Sequence, residues 1–547
     1  MNDKHRILLV GLTNKAGLAV ARNLSKSGCV ADVVLFTDVA ARHSRFVNKS
    51  YHLGNPAYNV DLFVIRLSEL LRNCFYDALL PVTDGALEIC RNYKKTISSL
   101  VKIVGLNADS AYLYSKDKSA LLDIGIRNGL TIPKGILIRN FEDFNKCNLD
   151  AFEFPVIAKP VSSALIINNK LIGFSVRICH NINELTDFIR ETVNCVPILI
   201  QEYIEGYGIG YNFISRDGIV LNAYIHKRLI EDKGVSTLRE SLPSTTYGIE
   251  NDVIKIVKEI NWNGVGMLEF KIDSNNQPVL MEFNGRFFGS TELSVKAGIN
   301  LPLLFFDSFV LDKTIERNII VRNVVVRFLH DEFMLKAQGL FKLRIKDFIS
   351  WLVDLLLSVF SKNHYIEDSI IEDPGFSIAL WRYEIKRWCK GFYTSLRAKL
   401  LKINPLTKCS LKNVNRVCFV CYGNICRSPF AFEYAKNLNN NYTFDSLGFI
   451  EMENRMSPAF ALLAAKEFNV DLTSHQSKSI YSIDTNEVDL FVVMDRMNYL
   501  KLRHHGVPES KIRFLSNKEI KDPYGGTLDD YLMTYNKIKV EIDNIFG

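Results

Sequence analysis

Residues 417–429 read VCFVCYGNICRSP, and this stretch decides the fold of the carboxyl-terminal part of the chain. The run VCFV is short and apolar, which predicts a buried strand, and residues 430–438, FAFEYAKNL, have a helical pattern. Between them lies a loop that begins with Cys421 and contains Arg427. A Cys and an Arg at this spacing are weak evidence alone, but the strand before them and the helix after them make the signal specific.

The loop has the composition of an anion-binding site. Gly423 and Asn424 are residue types that adopt positive φ, which a tight loop around an anion requires. Backbone N–H groups of residues 422–427 can point inward and bind phosphate oxygens, and the following helix adds positive potential at its N-terminus. The planar guanidinium of Arg427 can hold two of these oxygens. The sequence therefore predicts a phosphate-binding loop.

The same loop predicts nucleophilic chemistry at its first residue. A cationic environment lined by amides favours the thiolate form of Cys421, and a thiolate can attack phosphorus to form a cysteinyl phosphate. Ser428 can donate a hydrogen bond to the sulfur when the sulfur becomes the leaving group. The leaving oxygen of the ester needs a proton, and Asp522, in the KDPYGG loop of residues 521–526, is the candidate acid. Tyr524 could form an aromatic wall of the cleft.

The motif CYGNICRSP, followed by DPY at residues 522–524, resembles the low-molecular-weight protein tyrosine phosphatases over residues 414–547. The resemblance implies a doubly wound, four-stranded parallel sheet with helices on both faces. It implies that Cys421 is the nucleophile, Arg427 the phosphate ligand and Asp522 the general acid, with no cofactor. The residues that would support the loop are Gly423, Asn424, Ser428, Ser446 and His475. The implied partner is a phosphotyrosine protein, with a bacterial tyrosine kinase as one candidate.

Cys421 has two other interpretations. It could be a core thiol at the end of a buried strand, although the loop and the acid together favour the nucleophile. A thioredoxin-coupled arsenate reductase of the same fold needs two further downstream cysteines, and the absence of any Cys after Cys426 excludes it. Cys426 itself could form a reversible disulfide with Cys421 under oxidants, or it could be a small buried apolar residue.

A second constellation lies in residues 266–286, GMLEFKIDSNNQPVLMEFNGR. Two alternating stretches separated by a turn sequence predict a β-hairpin. Glu282 and Asn284 are two residues apart, so they share one face of the sheet, and Glu269 on the partner strand can face them. Two carboxylates and an amide oxygen suit Mg²⁺ bound beside nucleotide phosphates. A solvated hairpin face would show the same alternation, so the hairpin alone leaves both interpretations open.

Residues upstream of the hairpin favour the nucleotide interpretation. Residues 154–158, FPVIA, predict a buried strand that leads into Lys159, and a buried lysine is unfavourable unless an anion such as a phosphate pairs with it. Residues 198–204, ILIQEYI, predict an extended segment whose backbone groups can face an adenine edge. Arg286 lies two residues beyond Asn284, on the same face, where it can contact a phosphoryl group.

These features occur in an order that resembles the ATP-grasp superfamily over about residues 1–330: Lys118, AKP (158–160), QEYIEG (201–206) and the hairpin. HKRLIE (226–231) and GVSTLRES (234–241) also fit its carboxylate–amine ligase-like group. The resemblance implies a pre-ATP-grasp βαβ domain followed by two α+β lobes that hold ATP between them. Its implied ATP contacts are Lys118, Lys159, Glu202 and Ile204, and its implied Mg²⁺ ligands are Glu269, Glu282 and Asn284.

The resemblance also implies a reaction. A substrate carboxylate would attack the γ-phosphate of ATP, and an amine would capture the resulting acyl phosphate, so the partners are a small-molecule carboxylate and an amine. Catalysis of this kind rests mainly on positioning and on neutralising charge. Arg286 and Arg239 are the candidates for contact with the acyl phosphate or the substrate carboxylate.

The composition limits the class of protein. The chain has 547 residues, of which 48% are hydrophobic and 23% charged, as in globular proteins with several domains. Its 11 cysteines are too dilute for a disulfide scaffold, and a net charge of +7 is too mild to indicate nucleic acid. The start of the chain has no signal-peptide pattern, and the apolar run at 348–360, FISWLVDLLLSVF, is too short for a membrane span. We expect a cytoplasmic protein with reduced thiols.

Residues 384–402 carry six Lys and Arg residues with Trp388 and Phe392 between them. A basic amphipathic helix of this kind can lie on an anionic membrane, so peripheral membrane contact by residues 348–402 is one interpretation. The other interpretation, which we favour, is a helical linker that packs on its neighbours.

Together these patterns predict an α/β multidomain protein with four parts. They are a pre-ATP-grasp βαβ domain (1–105), an ATP-grasp domain (106–330), a basic helical connector (331–410) and a phosphatase domain (411–547). The predicted function is bifunctional: a phosphotyrosine-protein phosphatase and an ATP- and Mg²⁺-dependent carboxylate–amine ligase. The alternative is a single active phosphatase whose ATP-grasp part binds nucleotide without catalysis and serves as an adapter.

Overall fold

A computed structural model of the protein describes residues 4–232, 234–340, 345–386, 414–438 and 441–547. The chain divides into two compact units. The first unit contains Met1–Lys134, Val161–Ser175 and Tyr203–Ile385, and the second contains Gly135–Pro160, Val176–Glu202 and Lys386–Gly547. Most of the basic helix predicted at 384–402 lies outside the described residues, so that prediction remains open.

The strands, in chain order, are β1 (Arg6–Val10), β2 (Val30–Leu35), β3 (Lys49–His52), β4 (Ala78–Pro81), β5 (Gly135–Ile138), β6 (Val156–Pro160), β7 (Ala164–Ile167), β8 (Lys170–Gly173), β9 (Arg177–Cys179), β10 (Ile198–Glu202), β11 (Tyr207–Arg216), β12 (Ile219–Asp232), β13 (Val235–Leu242), β14 (Gly264–Ile272), β15 (Pro278–Asn284), β16 (Val325–Arg327), β17 (His364–Ile366), β18 (Arg416–Val420), β19 (Thr443–Leu447), β20 (Leu490–Val493) and β21 (Ile512–Phe514).

The α-helices among the described residues are α1 (Ala16–Lys26), α2 (Val60–Asn73), α3 (Asp84–Asn92), α4 (Lys94–Ser98), α5 (Asp109–Lys116), α6 (Lys118–Arg127), α7 (Phe141–Lys146), α8 (Ile182–Thr192), α9 (Glu250–Glu259), α10 (Thr291–Lys296), α11 (Leu301–Phe309), α12 (Leu329–Leu340), α13 (Ile345–Val359), α14 (Arg427–Leu438), α15 (Ala459–Lys466), α16 (Arg496–His504) and α17 (Leu528–Phe546).

The first unit begins with a parallel sheet in the order β3-β2-β1-β4. Successive residues of β1 point to opposite faces of this sheet: Leu8 and Val10 belong to one hydrophobic core, and Ile7 and Leu9 to another. Both faces are therefore buried, which explains why β1 is apolar from Ile7 to Val10. The predicted βαβ organisation at the amino-terminal end is confirmed.

The second sheet of the first unit has seven strands in the order β15-β14-β11-β12-β13-β16-β17. Its edge hairpin β14–β15 is the one that the alternating sequence predicted, and Glu269 pairs in register with Glu282. The reversal between the strands passes through Asn276, whose φ of 61° lies in the left-handed region that asparagine tolerates. The hairpin prediction is confirmed.

The described part of the predicted connector belongs to the first unit. Its strand β17 pairs in parallel with β16 and extends the seven-stranded sheet. Its helix α13 coincides with the apolar run predicted as a helix, and it exposes Leu356, Leu357 and Phe360 near its end. The boundaries at 330 and 410 stay predictions, and so does membrane contact by this region.

The second unit contains two sheets. Residues 135–202 contribute an antiparallel sheet in the order β5-β10-β6-β9, whose core includes α7 and α8. The carboxyl-terminal residues form a parallel sheet in the order β19-β18-β20-β21. In β18, Val417 and Phe419 face one core and Cys418 and Val420 face the other. Because both faces are covered, the predicted doubly wound four-stranded sheet is confirmed.

Among the residues that the structure describes, each helix is too short or too polar to cross a lipid bilayer.

Candidate active sites

The hairpin β14–β15 brings the three predicted metal ligands together. Glu269 and Glu282 are direct register partners, and Asn284 follows on the same face. The Asn284 side-chain amide donates to Glu269 Oε1 at 2.9 Å. Both carboxylates remain partly exposed to solvent, so a ligand can approach them.

Two cations lie against these carboxylates. Lys118 begins α6, and its Nζ lies 3.1 Å from Glu282 Oε1. Arg228 Nη2 donates to Glu269 Oε2 at 2.6 Å. Arg228 lies two strands away on β12, and it crosses β11 above Gly208, where a Cβ would lie 2.7 Å from the arginine Cδ. The glycine at 208 therefore makes room for an ion pair that the sequence analysis did not identify.

Arg286, the predicted contact for a phosphoryl group, is held by the loop after β4. Its Nε and Nη2 donate to the two oxygens of Asp84 at 2.8 and 2.7 Å. Burial acts to lower the pKa of Arg286, but Asp84, Glu282 and Glu269 outweigh burial and raise it. The guanidinium therefore stays charged beside the predicted metal ligands.

Arg239, the second predicted substrate contact, is placed differently. It is 1% exposed, its Nη2 donates to Glu367 Oε2 at 2.9 Å, and its Nη1 donates to the Gly289 carbonyl. Burial raises the pKa of Glu367, and the positive charge of Arg239 opposes that rise. Glu367 lies in the predicted connector, so the sequence did not point to this pair.

The remaining predicted nucleotide contacts lie on other strands. Lys159 is a buried residue of β6, and Glu202 ends the neighbouring strand β10; both belong to the second unit. Ile204 belongs to the first unit, and its carbonyl accepts a hydrogen bond from Lys271 Nζ at 3.1 Å. Their roles in nucleotide binding stay predictions.

The donor set of the hairpin fits magnesium bound together with phosphate. Two carboxylates and an amide oxygen are hard ligands, and Mg²⁺ usually completes its shell with phosphate oxygens and water. The part of the chain that the structure describes contains no cluster of three or more His, Cys, Asp and Glu residues able to hold a metal ion. With two carboxylates and one amide oxygen, the hairpin suits a cation whose remaining ligands are nucleotide phosphates and water.

The sulfur of Cys421 lies at the end of β18 and is 2% exposed. It accepts hydrogen bonds from the Asn424 backbone N–H at 3.2 Å and from Ser428 Oγ at 3.0 Å. Helix α14 begins at Arg427, so the loop and the helix N-terminus surround the sulfur. Hydrogen bonds and a helix dipole of this kind stabilise a thiolate.

Asn424 holds the loop in shape. Its backbone is left-handed, with φ 54°, and its side-chain amide donates to Ser428 Oγ at 3.0 Å and to Ser446 Oγ at 2.9 Å. Its side-chain oxygen accepts from the Lys478 backbone N–H at 2.7 Å. His475 Nε2 donates to the Asn424 carbonyl at 2.8 Å, and burial lowers the pKa of this histidine. The structure thus brings the predicted supporting residues Asn424, Ser428, Ser446 and His475 together.

The prediction of a left-handed glycine at 423 is wrong. Gly423 lies outside the positive-φ region, and a Cβ there would make only ordinary contacts. The glycine that sterics require is Gly448, where a Cβ would lie 2.9 Å from the Asn424 backbone nitrogen. The sharp turn therefore depends on Asn424, and the close approach of the neighbouring strand end depends on Gly448.

Arg427 is 2% exposed, and both terminal nitrogens of its guanidinium donate hydrogen bonds, whereas its Nε has no hydrogen-bond partner among the described residues. Its Nη1 donates to Asp495 Oδ2 at 2.8 Å and to the Ile520 carbonyl at 2.9 Å, and its Nη2 donates to Asp522 Oδ2 at 2.5 Å. Burial acts to lower its pKa, but negative charge at Cys421, Asp522 and Asp495 outweighs burial and raises it. The predicted nucleophile, phosphate ligand and acid therefore lie within one group of contacts.

Comparisons with known proteins identify this carboxyl-terminal part. A family model described as low molecular weight phosphotyrosine protein phosphatase matches residues 416–546. The low-molecular-weight protein-tyrosine-phosphatase PtpB of Staphylococcus haemolyticus is 30% identical over 128 residues, which cover 22% of this chain and 91% of that protein. The chain belongs to the low-molecular-weight protein-tyrosine-phosphatase family. PtpB of Staphylococcus epidermidis is 29% identical over 135 residues, which cover 24% of this chain and 96% of that protein.

The remaining comparisons are a second family model and two solved structures. A model described as ATP-grasp in the biosynthetic pathway with Ter operon matches residues 194–330. N5-carboxyaminoimidazole synthetase from Staphylococcus aureus covers 61% of this chain and 86% of its own at 15% identity and a TM-score of 0.45. Wzb of Vibrio vulnificus, in complex with benzylphosphonate, covers 24% of this chain and 97% of its own, at 27% identity and a TM-score of 0.23. The two family models confirm both resemblances drawn from the sequence, and the chain carries an ATP-grasp domain and a phosphatase domain.

A cavity of about 180 Å³ opens beside the sulfur of the phosphatase domain. Cys421, Asp522 and Tyr524 line it, as the sequence predicted, and so does Arg455, which the sequence analysis missed. Arg455 Nε donates to the Met452 carbonyl at 3.0 Å, and its Nη2 donates to the Gly423 carbonyl. A second buried guanidinium therefore adds positive charge to the phosphatase cavity.

Asp495 is the other phosphatase-domain residue that sequence reasoning missed. One of its oxygens accepts from the Asn498 backbone and caps α16, and the other accepts from Arg427. It follows the parallel strand β20, and ligands and functional groups gather at such strand ends. That rule could have identified Asp495, whereas the stretch ENRMSP around Arg455 offers no comparable signal.

Cys426 lies in the same loop as the nucleophile but in a different environment. It is 2% exposed and lies 3.7 Å from the Tyr531 hydroxyl. Burial, with negative charge at Asp522 and Cys421, raises the pKa of Cys426 well above its ordinary value. Cys426 is therefore a neutral thiol, which suits either of its two interpretations.

Proposed function

We propose that the protein is a bifunctional enzyme, and that its phosphatase domain hydrolyses phosphotyrosine through a cysteinyl phosphate. The observation that carries this proposal is that Cys421 and Asp522 line one cavity, and that the buried Arg427 guanidinium donates to the Asp522 carboxyl group. Tyr422 and Tyr524 both expose their rings at this cavity and can pack against an aromatic ester. A phosphotyrosine protein, for example a bacterial tyrosine kinase, is the proposed substrate.

The geometry supports a two-step reaction. The Cys421 thiolate forms a bond to phosphorus while the bond from phosphorus to the tyrosine oxygen breaks, and Asp522 gives its proton to the leaving oxygen. Water then attacks the cysteinyl phosphate, Asp522 accepts the proton, and the sulfur leaves as a thiolate. Ser428 donates a hydrogen bond to that sulfur, and Arg427 and the loop amides bind the transferred phosphoryl oxygens.

Arg427 can also exchange partners during the reaction. Its Nη2 donates to Asp522 Oδ2, and a phosphate group bound by the guanidinium would compete with this carboxyl group. Asp495 and the Ile520 carbonyl hold Nη1, and they would keep the guanidinium aligned during the exchange. The carboxyl group of Asp522 would then be released towards the leaving oxygen.

For the ATP-grasp domain we propose an ATP-dependent ligation of a carboxylate to an amine through an acyl phosphate. Lys118 and Lys159 would bind nucleotide phosphates, and Glu269, Glu282 and Asn284 would hold Mg²⁺. Magnesium supplies charge neutralisation and orientation of the phosphates when it is bound. Arg286, which stays charged against Asp84, would contact the acyl phosphate.

A second candidate function for this domain is nucleotide binding without ligation. The observation that favours it is the burial of Arg239 against Glu367 and the Gly289 carbonyl, which engages one of the two guanidinium groups proposed for the substrate. In that case the domain would serve as an adapter for the phosphatase.

Turnover of p-nitrophenyl phosphate by the full chain tests the phosphatase proposal. We expect Cys421→Ser to abolish turnover, because a hydroxyl is a far weaker nucleophile at neutral pH than a thiolate. Cys418→Ala is the matched control: it removes a buried thiol three residues earlier on the same strand and should keep activity. Equal activity in wild type and Cys421→Ser would contradict the proposal.

ATP consumption by the full chain tests the ligase proposal, with Cys421→Ser as background so that the phosphatase does not release phosphate. We expect mixtures of carboxylates and amines to stimulate ADP formation, and Glu282→Gln to abolish it. Glu259→Gln, at an exposed surface ion pair with Arg127, is the control and should leave ADP formation unchanged. Nucleotide binding without turnover in every mixture would instead support the adapter function.

A further inference from the structure

Two residues that line the phosphatase cavity come from a distant part of the chain. Arg177 in β9 and Glu191 in α8 share this cavity with Cys421 and Asp522. Both belong to residues 135–160 and 176–202, which we call the small lobe and which lie in the same compact unit as the phosphatase domain. The cavity wall is therefore built from two separate segments of the sequence.

The small-lobe residues contact the aromatic wall of the cavity directly. Tyr524 Oη donates to Glu191 Oε1 at 2.6 Å, and Arg177 Nη1 donates to Tyr524 Oη at 3.3 Å. Arg177 Nη2 also donates to Glu191 Oε2 at 3.3 Å, which closes a triangle of three side chains. Because Tyr524 belongs to the DPY loop that carries Asp522, the triangle fixes one side of the substrate entrance.

These contacts are part of a continuous interface. One face of α8 and the turn after it contact the phosphatase domain: Asp187 Oδ1 accepts from the Ala459 backbone at 3.1 Å, and the Arg190 carbonyl accepts from the Met456 backbone at 3.2 Å. The spacing of Asp187, Arg190 and Glu191 is that of one helix face. The cavity wall is thus held by the second half of α8.

The two charges of the wall differ in their access to solvent. The Glu191 side chain is 8% exposed and turned onto Tyr524, whereas the Arg177 side chain is 39% exposed. Burial acts to lower the pKa of Arg177, but Glu191 and Tyr524 outweigh burial and raise it. Arg177 therefore presents a positive charge at the entrance, and the more deeply buried Glu191 partly neutralises this charge.

We propose that Arg177 and Glu191 select substrates for the phosphatase site by the charge that flanks the phosphotyrosine. The favoured substrate class is a phosphotyrosine segment with an acidic side chain next to it, which Arg177 attracts. Glu191 limits this attraction and positions Tyr524. The inference rests on the proposed phosphatase function and names its substrate class.

The test compares kcat/KM of the full chain for three phosphotyrosine peptides that differ only in acidic, neutral or basic flanking residues. We expect wild type to favour the acidic peptide over the basic one. Glu191→Gln should raise the acidic-to-basic ratio about three- to tenfold, and Arg177→Gln should lower it by a similar factor, as expected for one unit charge about 7 Å away when solvent screens the entrance almost as strongly as bulk water. Turnover of p-nitrophenyl phosphate, which carries the phosphate but no flanking charge, measures the effect of each variant on the phosphoryl group itself, and this effect cancels in the acidic-to-basic ratio.

The exposed pair Glu142 and Lys146 on α7 of the small lobe provides matched controls. Glu142→Gln and Lys146→Gln should leave the ratio at its wild-type value. The inference would be overturned if the acidic-to-basic ratio stays constant in both variants, or if it moves in the same direction in Glu191→Gln and Arg177→Gln. Loss of p-nitrophenyl phosphate turnover in both variants would also overturn it. Failure of the wild type to hydrolyse any of these esters would instead overturn the phosphatase function itself.

Discussion

The sulfur of Cys421 accepts hydrogen bonds from the Asn424 backbone and the Ser428 hydroxyl, and Arg427 lies across the same loop. These groups come from within eight residues of one another, so most of the environment of the nucleophile is local in sequence. The proposed acid is different: Asp522 reaches the site from a loop about a hundred residues later and contacts Arg427. At the residue scale, the proposed activity therefore depends on one local and one distant group.

Asp522→Asn separates these two contributions. We expect it to slow hydrolysis of phosphotyrosine by about 10²–10⁴-fold, because the leaving oxygen loses its proton donor. The loss should be smaller with p-nitrophenyl phosphate, since nitrophenolate leaves more easily without protonation. Steady-state kinetics with both substrates measure the difference, and an equal loss with the two esters would contradict the role of Asp522 as acid.

Cys426→Ser tests whether the neighbouring thiol protects the nucleophile. If a reversible disulfide forms between Cys421 and Cys426, dithiothreitol should restore the peroxide-treated wild type but not the Cys426→Ser variant, whose nucleophile would oxidise irreversibly. Recovery of activity after treatment gives the measurement, with Cys418→Ala as a control that keeps both loop cysteines. Equal recovery in wild type and Cys426→Ser would leave Cys426 as a buried apolar residue.

At the scale of elements, a hydrogen bond from the phosphatase domain to the buried carboxyl group of Asp187 helps to hold α8 in position. Asp187 accepts the Ala459 backbone N–H, and burial raises the pKa of Asp187 to about 6. In the unfolded chain this carboxyl group has its ordinary pKa of 3.8. Between these two values the folded form holds a proton that the unfolded form has lost, so stability decreases as the pH rises through this window.

Asp187→Asn removes this titration and keeps an oxygen that can accept the Ala459 hydrogen bond. We therefore expect the melting temperature of the variant to rise relative to wild type between about pH 4 and pH 6, and the difference to stay constant above that window. Calorimetry of both proteins from pH 4 to 7.5 measures it, with Asp150→Asn, at an exposed position of the small lobe, as control. A difference that is independent of pH would show that Asp187 does not titrate in this way.

At the scale of the whole molecule, the compact units do not follow the order of the sequence. The small lobe is contributed by residues that precede much of the ATP-grasp domain, yet it packs in one unit with the phosphatase domain. A ligand that binds only the folded phosphatase site should therefore stabilise both parts of that unit by mass action.

Inorganic phosphate provides a test of this coupling. At a concentration of 100 times its Kd it should stabilise the second unit by about 2.7 kcal/mol. Hydrogen exchange should show increased protection in α8 as well as in α14, with no change in β1–β4. Arg427→Lys, which keeps the charge but lacks the two-pronged guanidinium, should weaken the effect. Increased protection confined to residues 416–547 would show that the small lobe opens independently.

The predictions that succeeded were those with a local physical signal. The apolar run VCFV predicted β18, and the alternation in residues 266–286 predicted the hairpin. The prediction of a left-handed glycine at 423 failed because two neighbouring residues in the loop both tolerate positive φ, and only the packed loop determines which one adopts it.

The sequence by itself determined the fold class, the two domain families and the phosphate loop, because strand, loop and helix signals act over a few neighbouring residues. Only the tertiary structure decided which charges meet: Arg228 with Glu269, Arg239 with Glu367, and Arg177 with Glu191 at the phosphatase cavity. An ion pair between distant residues has no periodicity in the sequence, so its partner is chosen by the packing of helices and strands.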